Sequence, residues 1–235
     1  MKTTISTFKP RASFPEQAIV LIFDLEGFSK FFSQPDVQEY VPKFMNIVLD
    51  ALDITINGGE AYWWKTGDGK KNKILKPLPK HIHSKFLGDG ALYIWHYNDF
   101  KHIEIISLIN RLYNLKLWFY KVVEKASETV PVIDIPKNIR FGVAAGSVYK
   151  LTYNNSNKEE FIGYSINLAS RLQSYCREIG FILSGRLNIK STELEKNQYV
   201  KKVAIKIKGF PREYVIIDKN DFEELTPELR DELFE

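Results

Sequence analysis

The chain has 235 residues, of which 44% are hydrophobic and 14% are aromatic. This length and composition are typical of one well-packed globular domain rather than a disordered segment. The formal net charge is only +4, from 33 basic and 29 acidic residues, so the charge gives no indication of a nucleic-acid-binding protein. The single cysteine, Cys176, excludes an internal disulfide and a cysteine-based zinc site.

Two kinds of targeting segment are missing from the sequence. There is no run of about 18 apolar residues, and the N-terminus lacks the apolar core of a signal peptide. A lone cysteine also suits a reducing compartment. We therefore expect an intracellular, cytoplasmic protein without a membrane span.

The first quarter of the chain predicts an arm, a strand and a helix. Residues 1–16 lack periodicity and are predicted to form an N-terminal arm. Ala18–Phe23 is a continuous apolar run, typical of a strand covered on both faces. From Val37 to Ile56 apolar residues recur at spacings of three and four, which predicts an amphipathic helix ended by Asn57-Gly58-Gly59.

Two hairpins are predicted next. The first occupies residues 60–79, where aromatic residues and a lysine-rich arm flank an Asp-Gly turn at Asp68. The second pairs His81–Phe86 with Ala91–Trp95 around a Gly-Asp-Gly turn at Asp89. Its second strand is apolar enough for the centre of a sheet.

The rest of the chain continues the alternation of strands and helices. We predict a helix over Phe100–Ser127, a strand over Ile139–Val148, and strands near Val203–Ile207 and Tyr214–Ile217. The acidic residues 218–235 have the pattern of a C-terminal amphipathic helix. Together these elements predict a single α/β (α+β) domain over residues 17–217 with a central sheet.

Two carboxylates each lie where an apolar strand ends and a glycine turn begins. The two stretches read Phe23-Asp24-Leu25-Glu26-Gly27-Phe28-Ser29 and Lys85-Phe86-Leu87-Gly88-Asp89-Gly90. Brought side by side, Asp24 and Asp89 would make a site for Mg²⁺ or Mn²⁺. The backbone N–H groups from Leu25 to Phe28, at a predicted helix start, would suit phosphate oxygens. An aspartate in this position can also simply cap a helix.

A third stretch, Asn167-Leu168-Ala169-Ser170-Arg171, places two polar side chains one helical turn apart. With the two aspartate stretches it resembles the catalytic domain of class III nucleotide cyclases, and more specifically the pyrimidine cyclases of bacterial Pycsar antiphage systems. The resemblance covers roughly residues 17–217. It implies a central, mostly antiparallel sheet flanked by helices.

The resemblance also implies the roles of individual residues. Asp24, Asp89 and the backbone carbonyl of Leu25 would bind two divalent metal ions, Mg²⁺ or Mn²⁺. Asn167 would orient the ribose, and Arg171 would neutralise the charge that develops at the α-phosphate. The implied substrate-binding residues are Phe28, Lys85, Glu160 and Lys208.

Asp68 competes with Asp89 for the role of second metal carboxylate. It lies nearer to Asp24 along the chain, and this shorter spacing is closer to that of the resembled family. The residues that follow favour Asp89, because a lysine arm comes after Asp68 and an apolar strand comes after Asp89. A metal carboxylate needs rigid support. We therefore expect Asp89 to be the ligand and treat residues 60–79 as an inserted hairpin.

Lys85 and Glu160 occupy the positions that read the base in the resembled family. Lys85 matches an adenine-selective pattern, whereas Glu160 is not the usual partner in this register. Bulky side chains could also reject purines by narrowing the pocket. The candidates for that role are Phe86, Tyr93 and Phe161.

The function implied by the resemblance is cyclisation of a pyrimidine nucleoside triphosphate, UTP ahead of CTP, to the 3′,5′-cyclic monophosphate and pyrophosphate. The product would be a messenger in antiphage defence, read by a separate effector protein. A homodimer would share its active sites, with Asp24 and Asp89 from one protomer and Lys85, Glu160, Asn167 and Arg171 from its partner. The alternatives are an adenylate cyclase making cyclic AMP, and a non-catalytic nucleotide-sensing module.

Overall fold

The computed structural model describes residues 12–151, 159–194 and 198–235, so most of the predicted N-terminal arm lies outside the described residues. The strands are β1 (Pro15–Glu26), β2 (Gly59–Lys65), β3 (Asn72–Leu75), β4 (His83–Phe86), β5 (Gly90–His96), β6 (Asn138–Leu151), β7 (Glu160–Gly163), β8 (Phe181–Ser184), β9 (Tyr199–Ala204) and β10 (Glu213–Asp218). The helices are α1 (Phe28–Phe32), α2 (Val41–Asn57), α3 (His102–Leu117), α4 (Phe119–Ser127), α5 (Tyr164–Gln173), α6 (Lys219–Glu224) and α7 (Pro227–Leu233). No helix in these described ranges is long and apolar enough to cross a membrane.

The described strands form one large central sheet and one small separate sheet. The central sheet has the order β4-β5-β1-β6-β8-β10-β9, with β7 added beside β6. Its neighbouring strands are antiparallel except β6 and β8, which run parallel. The hairpin β2–β3 pairs only with itself in the described structure. The predicted fold class is confirmed, since this is a mixed α/β domain with a central, mostly antiparallel sheet flanked by helices.

Strand β1 lies inside the sheet and contributes side chains to both of its faces. Leu21 and Phe23 join the apolar cluster formed with helices α2, α3 and α4, which we call the α2–α4 layer. Val20 and Ile22 join the cluster formed with α5 and the C-terminal helices, which we call the α5 layer. Because side chains alternate along a strand, Asp24 continues the second series and points to the α5 side.

The predicted helix over Phe100–Ser127 is wrong in one respect, because the chain forms two helices there. Trp118 leaves helical geometry, with φ −106° and ψ 17°, and separates α3 from α4. The change of direction lets α4 bury Phe119, Val122 and Ala126 against the sheet layer. Amphipathic spacing alone cannot detect a break that leaves the apolar side chains inside on both helices.

The C-terminal segment likewise forms two short helices rather than the single predicted one. Pro227 starts α7, and the hydroxyl of Thr226 accepts a hydrogen bond from the N–H of Leu229 at 3.3 Å. Proline is disfavoured inside a helix but is well placed in a first turn. The chain therefore ends α6 and begins α7 at Pro227. Strand β9 also begins and ends earlier than the predicted Val203–Ile207.

A buried charged cluster attaches the C-terminal helices to the core. The Lys116 ammonium at the end of α3 donates to Asp218 at 2.6 Å and to Asp221 at 2.7 Å. The Asp218 side chain is only 2% exposed. Asp221 also accepts from the N–H of Gly180 at 2.8 Å. Burial of a charge is tolerated here because each charged group has partners on several elements.

We expect Lys116→Met to lower the free energy of unfolding by about 3–5 kcal/mol, because it leaves two buried carboxylates without their cation. Urea denaturation followed by circular dichroism measures this loss. The matched control is Lys125→Met, which removes the exposed pair with Glu128 and should cost at most about 1 kcal/mol. Equal losses in the two variants would contradict the interpretation.

Candidate active site

The structure brings the carboxyl groups of Asp24 and Asp89 together at one end of the central sheet. Asp24 pairs with Gly90 in the register of β1 and β5, and Asp89 lies in the turn between β4 and β5. The N–H of Leu25 donates to the carbonyl of Asp89 at 3.1 Å, which fixes the turn against β1. The two side chains are near enough for the charge of Asp24 to raise the pKa of Asp89.

Gly90 makes this close approach possible. A Cβ atom at this position would lie 1.9 Å from the carbonyl oxygen of Phe23 and 3.2 Å from the Cα of Asp24. Gly88 adopts a φ of +102°, which favours glycine as well. The Gly-Asp-Gly sequence is therefore a steric requirement for placing Asp89 beside Asp24.

The electrostatics of the pair suit a divalent cation. Burial and the negative charge of Asp24 both raise the pKa of Asp89, while Arg140 opposes the shift. Hard cations such as Mg²⁺ and Mn²⁺ prefer carboxylate oxygens. Within the described residues no group of three or more His, Cys, Asp or Glu side chains could hold a metal ion. The two aspartates therefore fit ions that take further ligands from backbone, water or phosphate.

Arg140 is a functional candidate that sequence reasoning missed. It faces Asp24 directly across β1 and β6, and its guanidinium forms an ion pair with the Asp24 carboxylate. Its Nε is buried with no hydrogen-bond partner in the described part of the chain. The sequence signal was a lone arginine in the predicted strand Ile139–Val148, but only the strand register shows that it faces Asp24.

Asp68, the competing carboxylate, lies in the turn of the separate β2–β3 hairpin. Its carboxylate accepts hydrogen bonds from the Thr66 hydroxyl and, at 3.2 Å, from the Lys70 N–H. These bonds lower the pKa of Asp68. The side chain therefore stabilises its own turn, and the described structure gives it no contact with Asp24.

Lys85 and Glu160 also come together, although 75 residues separate them. The Lys85 ammonium donates to both carboxylate oxygens of Glu160 at 2.9 Å. Lys85 pairs with Leu92 across β4 and β5, and Leu92 belongs to the α5 layer. The pair therefore lies on the same side of the sheet as Asp24.

The remaining predicted polar residues point into solvent. Asn167 and Arg171 lie on the exposed side of α5, and Lys208 lies in the connection between β9 and β10. Within the described residues none of these three side chains forms a hydrogen bond or ion pair. Within one chain, Asp24 therefore lies near Asp89, and Lys85 pairs with Glu160. Asn167, Arg171 and Lys208 bond to neither of these pairs in the described part of the chain.

Phe28 begins α1 and lines an apolar groove of about 680 Å³ that reaches Asp89. Phe32 and Phe86 line the same groove and are 50% and 54% exposed.

The backbone N–H groups from Leu25 to Phe28 were expected to face phosphate oxygens. This expectation is wrong for Leu25, because its N–H donates to the backbone carbonyl of Asp89.

The fold matches solved structures, although no family model and no curated protein matches the sequence. The adenylyl cyclase CyaB from P. aeruginosa has a TM-score of 0.61 and 15% identity, covering 88% of this chain and 96% of that chain. The guanylyl cyclase Cya2 has a TM-score of 0.59 and 16% identity, covering 88% and 93%. A bacterial light-regulated adenylyl cyclase has a TM-score of 0.56 and 13% identity, covering 89% and 53%. The chain therefore has the fold of class III nucleotide cyclase domains.

We expect Asp89→Asn to weaken Mn²⁺ binding by about 100-fold or more, because it removes one of two adjacent carboxylates. Asp68→Asn is the matched control and should bind Mn²⁺ like the unchanged protein. Isothermal titration calorimetry measures both affinities. Because the pKa of Asp89 is raised, protons should compete with Mn²⁺ at a higher pH than for an ordinary aspartate. A loss of affinity in Asp68→Asn alone would reverse the assignment.

Proposed function

We propose that the protein is a metal-dependent nucleotidyl cyclase. The observation that carries the proposal is that strand pairing places Asp24 beside the turn that carries Asp89, in a chain with the cyclase fold. The pKa of Asp89 is raised and the Asp24 carboxylate pairs with Arg140, so the two carboxyl groups are suited to two divalent ions, Mg²⁺ or Mn²⁺. The backbone carbonyl of Leu25 is a third candidate ligand.

The reaction would be an intramolecular phosphoryl transfer. The ribose 3′-hydroxyl gives its proton to Asp24 or to water and attacks the α-phosphorus. The new P–O bond closes the ring, and the bond to the departing pyrophosphate breaks. Bound divalent ions would supply charge neutralisation and an acidified hydroxyl. Asn167 would orient the ribose, Arg171 would neutralise charge at the α-phosphate, and Lys208 would contact the triphosphate tail.

A homodimer with shared active sites would unite these groups. Asn167, Arg171 and Lys208 are exposed and lack partners in the described part of one chain, which supports a role across an interface. The apolar groove beside Asp89, with Phe32 and Phe86 half exposed, is a surface that a second copy could cover. Asp24 and Asp89 would then act with the polar groups of the partner.

The proposed substrate is a pyrimidine nucleoside triphosphate, UTP ahead of CTP. The support is the resemblance across Asp24-Leu25-Glu26-Gly27-Phe28-Ser29-Lys30-Phe31-Phe32 and the inserted hairpin at residues 60–79. Lys85 and Glu160 together offer a donor and an acceptor, which suits the edge of uracil or cytosine. The same resemblance supports a role in antiphage defence, with a separate effector protein reading the cyclic product.

The deciding experiment incubates the purified protein with Mn²⁺ and ATP, GTP, CTP or UTP separately, and resolves the products by mass spectrometry. We expect cyclic UMP or cyclic CMP, no product from Asp89→Ala, and unchanged product from Asp68→Ala. Thermal melting should show that both variants fold.

Other outcomes would replace the proposal. Cyclic AMP alone would assign the protein to the adenylate cyclases, which the Lys85 ammonium favours as the second candidate. Metal-dependent nucleotide binding with no product from any of the four nucleotides would make the protein a nucleotide-sensing module.

The antiphage role has its own test. When the effector is present, cells expressing the Asp89→Ala variant should be more sensitive to phage than cells expressing the active protein.

Arg171→Ala should lower kcat by about 10²–10³-fold with little change in KM, because the contact strengthens mainly in the transition state. Arg177→Ala removes another exposed arginine just beyond the same helix and serves as the control. Steady-state kinetics with the preferred nucleotide measures both.

Mixing the Asp89→Ala and Arg171→Ala proteins tests whether the two residues act across an interface. If each site takes Asp89 from one protomer and Arg171 from the other, half of a heterodimer's sites are intact. Random exchange should then restore about a quarter of the activity of the unchanged protein, because half of the dimers are heterodimers. No recovery after verified subunit exchange would contradict the shared site.

A further inference from the structure

Residues 205–212 connect β9 to β10 and carry Lys208, and we call this segment the Lys208 connection. Next to it, three polar side chains from three elements bond to one another. Tyr164 begins α5, Arg186 follows β8, and Glu213 begins β10. The Tyr164 hydroxyl donates to the Glu213 carboxylate. The Arg186 guanidinium donates to that carboxylate at 2.8 Å and to the Tyr164 hydroxyl oxygen at 2.9 Å. Each of the three side chains therefore bonds to the other two.

This group joins the start of α5 to the Lys208 connection. Glu213 is only 7% exposed, so its charge depends on the donors that Arg186 and Tyr164 supply. Burial and the interaction with Glu213 raise the pKa of Tyr164 to about 12, so the hydroxyl keeps the proton that it donates. The Tyr164 ring also packs against Phe210 in the connection, with ring centroids 4.8 Å apart. Phe210 is itself buried, two residues after Lys208.

A second tyrosine holds the connection near the other end of α5. Tyr175 lies two residues beyond Gln173, where the helix ends. Its hydroxyl accepts a hydrogen bond from the N–H of Lys206 at 3.1 Å and donates to the carbonyl of Leu233 at 2.6 Å. Because Phe210 lies by the start of α5 and Lys206 by its end, the connection runs along the helix in the opposite direction.

We propose that Tyr164 and Tyr175 are positioning residues for Lys208, an inference that rests on the proposed function. Lys208 is midway between the two held residues of the connection. Asn167 and Arg171 lie on α5 between the same two tyrosines. The lysine proposed for the triphosphate tail is thereby held level with the residues proposed for the ribose and the α-phosphate. A displaced tail would draw the α-phosphorus away from Arg171, and a shift of about 1 Å can cost about 100-fold in rate.

Tyr164→Phe and Tyr175→Phe each remove one hydroxyl and keep the packing of the ring. We expect each to lower kcat/KM for the preferred nucleotide by about tenfold, because Lys208 is then less well placed. Tyr214→Phe is the matched control. Its ring is 62% exposed beside Glu213, and the change should leave kcat/KM as it was. Steady-state kinetics measures all three, and unchanged kcat/KM in both of the first two variants would overturn the assignment.

A double-mutant cycle separates positioning from general destabilisation. Lys208→Ala alone should lower kcat/KM by about 100-fold, since it removes a charged donor. If Tyr164 acts through Lys208, its hydroxyl no longer matters once the lysine is gone. The variant that combines Tyr164→Phe with Lys208→Ala should then match Lys208→Ala within about twofold. A further tenfold loss in a double variant that thermal melting shows to be folded would mean a merely structural role.

Calorimetric titration with inorganic triphosphate and Mg²⁺ repeats the cycle without turnover. Each tyrosine variant should weaken triphosphate binding by about threefold or more, and this effect should disappear in the Lys208→Ala background. If no nucleotide is cyclised, the proposed function fails, and this cycle still decides the role of the tyrosines. In that case, triphosphate binding that does not respond to the loss of the hydroxyls, or that is absent from the unchanged protein, would overturn the assignment.

Discussion

The repulsion between two carboxyl groups held close together determines what this molecule can do. Asp24 is fixed in an interior strand, and Asp89 is fixed because its carbonyl accepts the N–H of Leu25. Their backbones cannot separate without breaking the pairing of β1 with β5. Only a proton or a cation relieves the repulsion, and in this structure the Arg140 guanidinium supplies part of the charge. A site that must attract positive charge is therefore built into the backbone of the sheet.

A single strand register creates that site. Asp24 lies between Gly90 on one neighbouring strand and Arg140 on the other. A slip of one residue would turn Asp24 to the α2–α4 layer and exchange the β1 side chains that pack into the two layers. The pairing of β1 with β5 and β6 therefore fixes the positions from which the two carboxylates extend. Stability of the core and geometry of the site depend on the same pairing.

Much of the fold, and the placement of Asp89 beside Asp24, could be predicted from local patterns. The apolar strand after Asp89, set against the lysine arm after Asp68, favoured the aspartate that lies beside Asp24. Arg140 could not be found this way, because its partner Asp24 is 116 residues away and only strand pairing brings them together. The break at Trp118 was missed because both helices keep their apolar side chains inside.

Gly90 has a consequence for how sequence variation in this protein should be read. Every amino acid other than glycine carries a Cβ, and here that atom would lie 1.9 Å from the carbonyl oxygen of Phe23. In a saturation mutagenesis screen, Gly90 would thus tolerate as few replacements as Asp89 itself. It has no side chain with which to bind a ligand or perform chemistry. A map of intolerant positions would overstate the number of chemically active residues unless such steric positions are separated from them.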